Sequence, residues 1–299
     1  MATHLDHVII LVSPSTLSSL PPFLTENFTI TPGGRHVDNL TENKLICFRD
    51  GSYIELIAFI TPSEEERAKH WWGKKKEGGI IDFAFTTKAT TGEDVSKHHK
   101  DLQARLLDSG SKAGYELPRP GGRKRESDGQ DIKWHVTFPA VGSSSSASSY
   151  QRGLLPFFCH DVTPRSLRAP VAEENVTHPC GAEGIKGLTA YVTEERVVEL
   201  TKDYGVILDV DDLADGLESL YGGKGGAREP VKISVKAPKK GEEALRSEIE
   251  DRGGLVLGDL VFWGHSRKAG DDGLRRIDVG DGNISLGGLF LDLSAPDDI

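Results

Sequence analysis

Apolar positions fall in short blocks with period two, broken by a few helical stretches. Leu5-Asp-His-Val-Ile-Ile-Leu-Val12 is rich in β-branched residues and is closed by Ser13-Pro14, which predicts a buried strand. Residues 15–25 predict a short helix interrupted at Pro21-Pro22, Asn27–Ile30 a brief extended piece, and Pro32-Gly-Gly-Arg-His36 a flexible turn. Lys44–Phe48 and Ser52–Ile60 predict a hairpin across Arg49-Asp50-Gly51, where Asp-Gly is the tight-turn signal. The first sixty residues therefore read β-α-β-β-β.

The pattern recurs. Gly79–Thr87 predicts a strand and Gly92–Ser109 a helix with Val95, Leu102, Leu106 and Leu107 on one side. Pro120-Gly-Gly-Arg-Lys124 repeats the earlier Pro-Gly-Gly-Arg, and strands over Ile132–Phe138 and Leu154–His160 follow it, separated by the serine tract Ser143–Ser149. A tetrad repeated between helix and hairpin points to duplication. After an irregular, proline-rich crossover at 163–184, the strand Ile185–Thr193 and the helix Glu194–Tyr204 lead to a glycine-rich stretch. Val231–Ala237, the helix Gly241–Arg252 and the strands Leu255–Trp263, Arg275–Val279 and Leu286–Leu293 then read as a third β-α-β-β-β. The expected organisation is a domain at 1–162 made of modules at about 4–62 and 79–162, the crossover at 163–184, and a C-terminal region at 185–299. That last region holds one complete and one degenerate module.

Charge narrows the function classes. Lys plus Arg number 36 against 46 Asp plus Glu, for a net charge of −10, which argues against nucleic-acid or anionic-membrane partners because phosphate affinity rests on Lys and Arg. Three well-separated cysteines do not suggest a disulfide framework. The opening residues enter a strand without a basic segment, and no apolar run is long enough to span a bilayer. A cytoplasmic protein is expected.

Glu55 lies in Tyr53-Ile-Glu-Leu-Ile-Ala-Phe59, apolar at both parities, so both faces of that strand are expected to be covered. A carboxylate there costs several kcal/mol unless paired, protonated or metal-bound. Partners on offer are Arg35, Lys44 or a cation. By alternation Leu5, His7, Ile9 and Leu11 share one face, which turns the His7 ring into an apolar layer as a core histidine or a ligand. An imidazole on the first strand and a carboxylate on the last strand of one module suit a divalent Zn, Fe, Mn, Ni or Co ion.

These segments, with Thr41-Glu-Asn-Lys-Leu, Leu155-Pro-Phe-Phe and His178-Pro-Cys-Gly-Ala-Glu-Gly-Ile-Lys-Gly-Leu, resemble the glyoxalase-like domain proteins of the vicinal oxygen chelate superfamily. The resemblance implies an α+β fold of repeated βαβββ modules forming open half-barrel sheets flanked by helices, around a divalent metal that chelates neighbouring oxygens of a substrate. Carried onto this chain, it makes His7 and Glu55 metal ligands and His178 the third. Arg35, His36 and Asn43 are then expected to contact substrate, and His160 and Asp161 to move the proton. The second module carries Asp82 where a first-strand ligand is expected, Gly187 or a neighbour stands in the 185–193 strand, and Gly287 or Gly288 in the last strand, so no second His/Glu pair is visible.

Other features read plainly. Glu64-Glu65-Glu66-Arg67 and Lys74-Lys75-Lys76 read as the polar face of a helix and its exit, Trp71-Trp72 as a barrel-mouth cover or an inter-module contact, and His98-His99 as solvent-facing. The expectation is a metal-dependent lyase or isomerase acting on a small organic molecule, ahead of a ring-cleaving dioxygenase. The alternative is a metal-free binding protein on the same fold. Modules pairing within one chain or between two leaves a homodimer open.

Overall fold

The computed structural model describes residues 1–264 except 62, 90, 126–127, 141–151 and 227, together with 273–277 and 288–293. The serine tract and Gly287 lie outside the described residues.

The first module runs β1 (His4–Leu11), α1 (Pro14–Ser18), α2 (Pro22–Thr25), β2 (Thr31–Arg35), β3 (Thr41–Cys47) and β4 (Tyr53–Phe59). Pro21-Pro22 splits the expected helix into α1 and α2, each with Pro in its first turn, where the missing N–H costs nothing. β4 returns parallel to β1 with Ile9 opposite Glu55, and β3 pairs antiparallel with β4. After α3 (Glu64–Lys69), the second module follows with β5 (Gly79–Thr86), α4 (Gly92–Asp108), β6 (Arg119–Lys124), β7 (Asp131–Thr137) and β8 (Phe157–Asp161). β8 is parallel to β5, repeating the first-to-last pairing of the first module.

β1 and β5 lie antiparallel at the junction of the modules. The outer strands β2 and β6 meet on the far side through the bridge His36 to Arg123, so eight strands curl into a nearly closed barrel. Both copies of Pro-Gly-Gly-Arg are thus strands, not turns. Proline is tolerated because these are edge strands. The glycines answer a close approach. A Cβ on Gly33 would sit 2.0 Å from the Asn43 Oδ1, and one on the equivalent Gly121 would sit 2.4 Å from the Trp134 Nε1. The tetrad lets one long side chain per module lie flat against the edge and point inward.

Alternation in β1 is broken where the sequence pattern is smooth. The register with β5 shifts between Leu5 and His7, so Leu5 packs with Val8 and Ile10 in the main core while Ile9 and Leu11 face the barrel. Consecutive Asp6 and His7 side chains can then bond each other, with 3.0 Å from the His7 Nδ1 to Asp6. Leu107, expected on the packed side of α4, is 79% exposed, whereas His98 on the same helix is 4% exposed, not solvent-facing.

The crossover contains α5 (Arg165–Arg168) and α6 (Glu173–Val176), and it closes one end of the barrel, where Ala169 and Val176 pack on Leu45, Cys47 and Tyr53. Then come β9 (Ala182–Tyr191), α7 (Glu194–Leu208), β10 (Lys232–Lys236), α8 (Glu243–Asp251), β11 (Val256–Gly264), β12 (Leu274–Arg276) and β13 (Leu289–Asp292). β10 pairs in parallel with β9, and β13 in parallel with β11, so residues 231–293 do not close on themselves as the first two modules do. β11 joins the sheet antiparallel to β9 and touches β5 at Leu257–Ile80.

Candidate active site in the barrel lumen

A cavity of about 220 Å³ fills the barrel lumen. It exceeds the roughly 150 Å³ engineered void known to hold benzene, so the lumen suits a ring-sized guest. Its wall is aromatic, with Trp71, Trp72, Trp134, Phe138 and Phe157, and its polar groups gather around Glu55.

Glu55 is 5% exposed on the lumen face of β4. Asn43 on β3 donates from Nδ2 to its Oε1 at 2.5 Å, while the Asn43 Oδ1 accepts from the Gly34 N–H at 3.0 Å and so fixes the amide. The His36 Nε2 stands 3.5 Å from Oε1 and the His7 Nε2 stands 3.7 Å from Oε2. Each ring is anchored behind, His7 through Nδ1 to Asp6 and His36 through Nδ1 to the Thr41 hydroxyl at 2.8 Å. His7 is also stacked on Tyr53 with centroids 4.6 Å apart. Burial lowers the His36 pKa against the pull of Glu55 and Asp38, which favours the uncharged imidazole.

Behind His7 lies a charge network that the sequence reading missed. Asp6 is flanked by Arg165 at 2.5 Å and Arg168 at 2.9 Å. Burial alone would raise the Asp6 carboxyl, but the two guanidiniums and His7 hold it well below the usual carboxylate range. Arg168 also donates to the Tyr53 hydroxyl at 2.7 Å. Arg123, the second tetrad's arginine, donates to the Gly33 carbonyl at 2.6 Å and clips the barrel seam. In sequence, only the adjacency of Asp6 to His7 hinted at any of this.

The remaining expected site residues lie elsewhere. His178 sits among Phe28 and Phe48, its Nδ1 accepting from the Thr29 N–H at 3.0 Å and its Nε2 bonding the Cys47 carbonyl at 3.0 Å. With both nitrogens spent on backbone it is a structural pin, not a lumen ligand. His160 is on the opposite face of β8 from the lumen residue Cys159 and packs against His98 at 5.1 Å. Asp161 is bound to Arg165 and Arg168. Arg35 points outward, with its side chain 59% exposed and 4.0 Å from Glu42. Asp82 accepts from the Trp72 Nε1 at 2.8 Å, and burial raises it to about 6. Burial also pushes Cys47 up to about 12 and Cys159 well above its ordinary value, so neither thiol is an activated nucleophile.

The donors suit a divalent cation in kind: two imidazole nitrogens and a carboxylate, with an Asp and a Thr fixing the outer ring nitrogens. The nitrogen-to-oxygen separations are close to the roughly 3.4 Å between neighbouring ligands of a tetrahedral ion with bonds near 2.1 Å. They do not form a closed cage. Among the described residues no three His, Cys, Asp or Glu side chains are gathered into a ready metal cluster. The described residues of the second module bring no imidazole or carboxylate to the cavity: Ala84 stands opposite His7, and Cys159 on β8, whose thiol burial holds protonated, lies where the first module has Glu55.

Gly33 gives a direct check on how the carboxylate is held. Gly33→Ala is expected to displace the Asn43 amide from Glu55 and to cost about 1–3 kcal/mol, as overpacking does. Gly92→Ala, where an added Cβ meets nothing within 4 Å, should stay within about 0.5 kcal/mol of wild type. Urea midpoints compare the two, and equal stabilities would show that the close approach is not needed.

Two modules closed around an inward-facing His and Glu define a protein of the vicinal oxygen chelate fold. The profile of the glyoxalase-like domain family matches residues 5–205, more than half of the chain, and the protein belongs to that family. A solved xylose isomerase-like TIM barrel/4-hydroxyphenylpyruvate dioxygenase fusion protein is similar at 13% identity and a TM-score of 0.40, over 88% of this chain and 36% of that one. A triple mutant of 4-hydroxymandelate synthase from Streptomyces coelicolor is similar at 9% identity and a TM-score of 0.45, over 89% of this chain and 72% of that one. This chain thus spans well under half the length of the fusion protein. No curated protein sequence matches. Among the described residues no helix is long and apolar enough to cross a membrane.

Proposed function

We propose that the protein is a divalent-metal enzyme of the glyoxalase-like type, in which His7, His36 and Glu55 hold the cation and the lumen takes a ring-sized, oxygen-bearing organic substrate. His36 replaces His178 in the ligand set and leaves the substrate-contact role. The observation that carries the reading is the convergence of two back-anchored imidazoles on one buried carboxylate inside an apolar cavity. A cation bound there supplies Lewis acidity toward two adjacent oxygens. The chain's own groups do the rest. The aromatic wall excludes water and orients the substrate's body, and Asn43 keeps Glu55 turned inward.

Asp38 lines the same cavity outside the ligand set, 3.7 Å from the His70 Nε2. His70 accepts the Trp72 N–H on Nδ1, so its proton sits on Nε2 and faces Asp38. That pair is placed to take and hold a proton from substrate carbon, in place of His160 and Asp161, and it favours lyase or isomerase chemistry over ring cleavage.

The test is metal titration of chelator-stripped protein with Zn, Mn, Ni, Co and anaerobic Fe, followed by calorimetry and, for Co, by its visible spectrum. One equivalent is expected to bind, with His7→Ala and Glu55→Gln weakening it by about 100-fold or more and His178→Asn leaving it unchanged. The open arrangement and a second module whose described residues bring no imidazole or carboxylate to the cavity favour a second reading, a metal-free pocket that sequesters small aromatic molecules. A folded protein that takes up no metal would leave that reading standing alone.

A further inference from the structure

A second cleft, of about 500 Å³, shares His70 and Trp71 with the lumen wall and opens between the exit of α3, residue 152 and the turn from α8 to β11. Five cations line it, Lys74, Lys75, Lys76, Arg152 and Arg252, against one lining carboxylate, Asp251. In a chain of net charge −10 this is a local concentration of positive charge against the overall balance.

Three of the cations have partners. Lys76 pairs with Asp251, Arg252 with Glu248 at 3.0 Å, and Arg152 with Glu116 at 3.8 Å. The side chains of Lys74 and Lys75 have no hydrogen bond or ion pair with any described residue. Burial pulls the Lys75 ammonium below its ordinary range, and the one attraction opposing this comes from Asp82, whose carboxylate is held by the Trp72 indole. A half-desolvated ammonium without a counter-ion costs free energy in the empty protein, and an anion entering the cleft recovers it. Ile80, Leu255 and the Trp71 ring supply apolar surface beside these charges.

We propose that this cleft binds a phosphate-bearing small molecule, with the phosphate among Lys74, Lys75 and Arg252 and the organic body against Trp71, Ile80 and Leu255. Several compact ammonium charges at one point suit a multiply charged phosphate better than a monocarboxylate, whose planar fork is matched by arginine. The site stands apart from the metal reading of the lumen.

Titration of the metal-stripped full chain with inorganic pyrophosphate at low ionic strength tests this. Saturable binding in the submillimolar range is expected by calorimetry, weakening steeply with added salt. Lys75→Met should weaken it by about tenfold and melt no lower than wild type, since it removes an unpaired charge. Lys74→Gln, at an exposed position, should weaken it severalfold and decides the matter if Lys75→Met fails to fold. Glu55→Gln should bind pyrophosphate as wild type does, and malonate should bind much more weakly. No saturation at millimolar pyrophosphate, undiminished binding in both lysine variants, equal binding of malonate, or loss in Glu55→Gln would each overturn the assignment.

Discussion

Arg168→Met is expected to cost about 3–5 kcal/mol of folding stability, the penalty for removing one partner of a buried ion pair. All five guanidinium N–H groups of Arg168 are used: one to the Tyr53 hydroxyl, two to Asp6 and two to Asp161, at 2.6–3.2 Å. Asp6 is fully buried, so losing Arg168 leaves it with Arg165 as its one remaining guanidinium partner. Arg168→Lys should recover little, because an ammonium cannot reproduce the planar fork. The double variant Asp6→Asn, Arg168→Met should lose less than the two single variants summed, since removing both charges strands neither. Urea unfolding of the four proteins measures this, and strict additivity would show that the two residues are not a pair. Asp6 also anchors the His7 Nδ1, so the proposed metal affinity should fall with Arg168→Met while His36 keeps its own tie to Thr41.

Arg168 shows what the sequence concealed. It sits in a proline-rich crossover of few apolar residues, a pattern that reads as a linker, yet it is 2% exposed because α5 closes the barrel end. No local signal encodes that, since the partners Asp6, Tyr53 and Asp161 belong to three separate strands. The strands themselves were legible, because a two-sided apolar run such as Leu5–Val12 can only be buried. His7 and Glu55 were legible for the same reason, as polar groups where burial is costly. His36 was read as a substrate contact, and its approach to Glu55 shows only once β2, β3 and β4 are paired in register. The tetrads were misread because Pro and Gly usually mark turns, and only the close approach of Asn43 and Trp134 explains glycine in an edge strand. His160 was separable in principle. With Cys159 on the lumen face, alternation already sends its neighbour to the helix side.

Buried imidazoles on both sides of the sheet make the fold sensitive to acid, and a steep loss of stability below pH 6.5 is expected. Burial lowers His70, His160 and His178 to about 4 and His98 to about 3. In the unfolded chain each takes a proton near 6.5, so between about 6.5 and 4 the unfolded state binds up to four more protons through them and stability falls with pH. Asp50 and Asp82 oppose this. Burial raises both to about 6, so the folded state protonates them first and gains stability as pH drops from 6 toward 3.8. Two protons net remain on the unfolded side, or roughly 3 kcal/mol per pH unit. From pH 6 to 4.5 that removes about 4 kcal/mol, much of an ordinary domain's 5–15 kcal/mol. His98 is the best probe, because neither of its ring nitrogens has a hydrogen-bond partner among the described residues. His98→Leu removes one of the net protons and two unsatisfied buried atoms, so it should halve the pH slope and raise stability at pH 5. Urea midpoints at pH 7, 6, 5 and 4.5 follow both proteins. Parallel pH profiles would mean that the buried imidazoles do not set the acid limit.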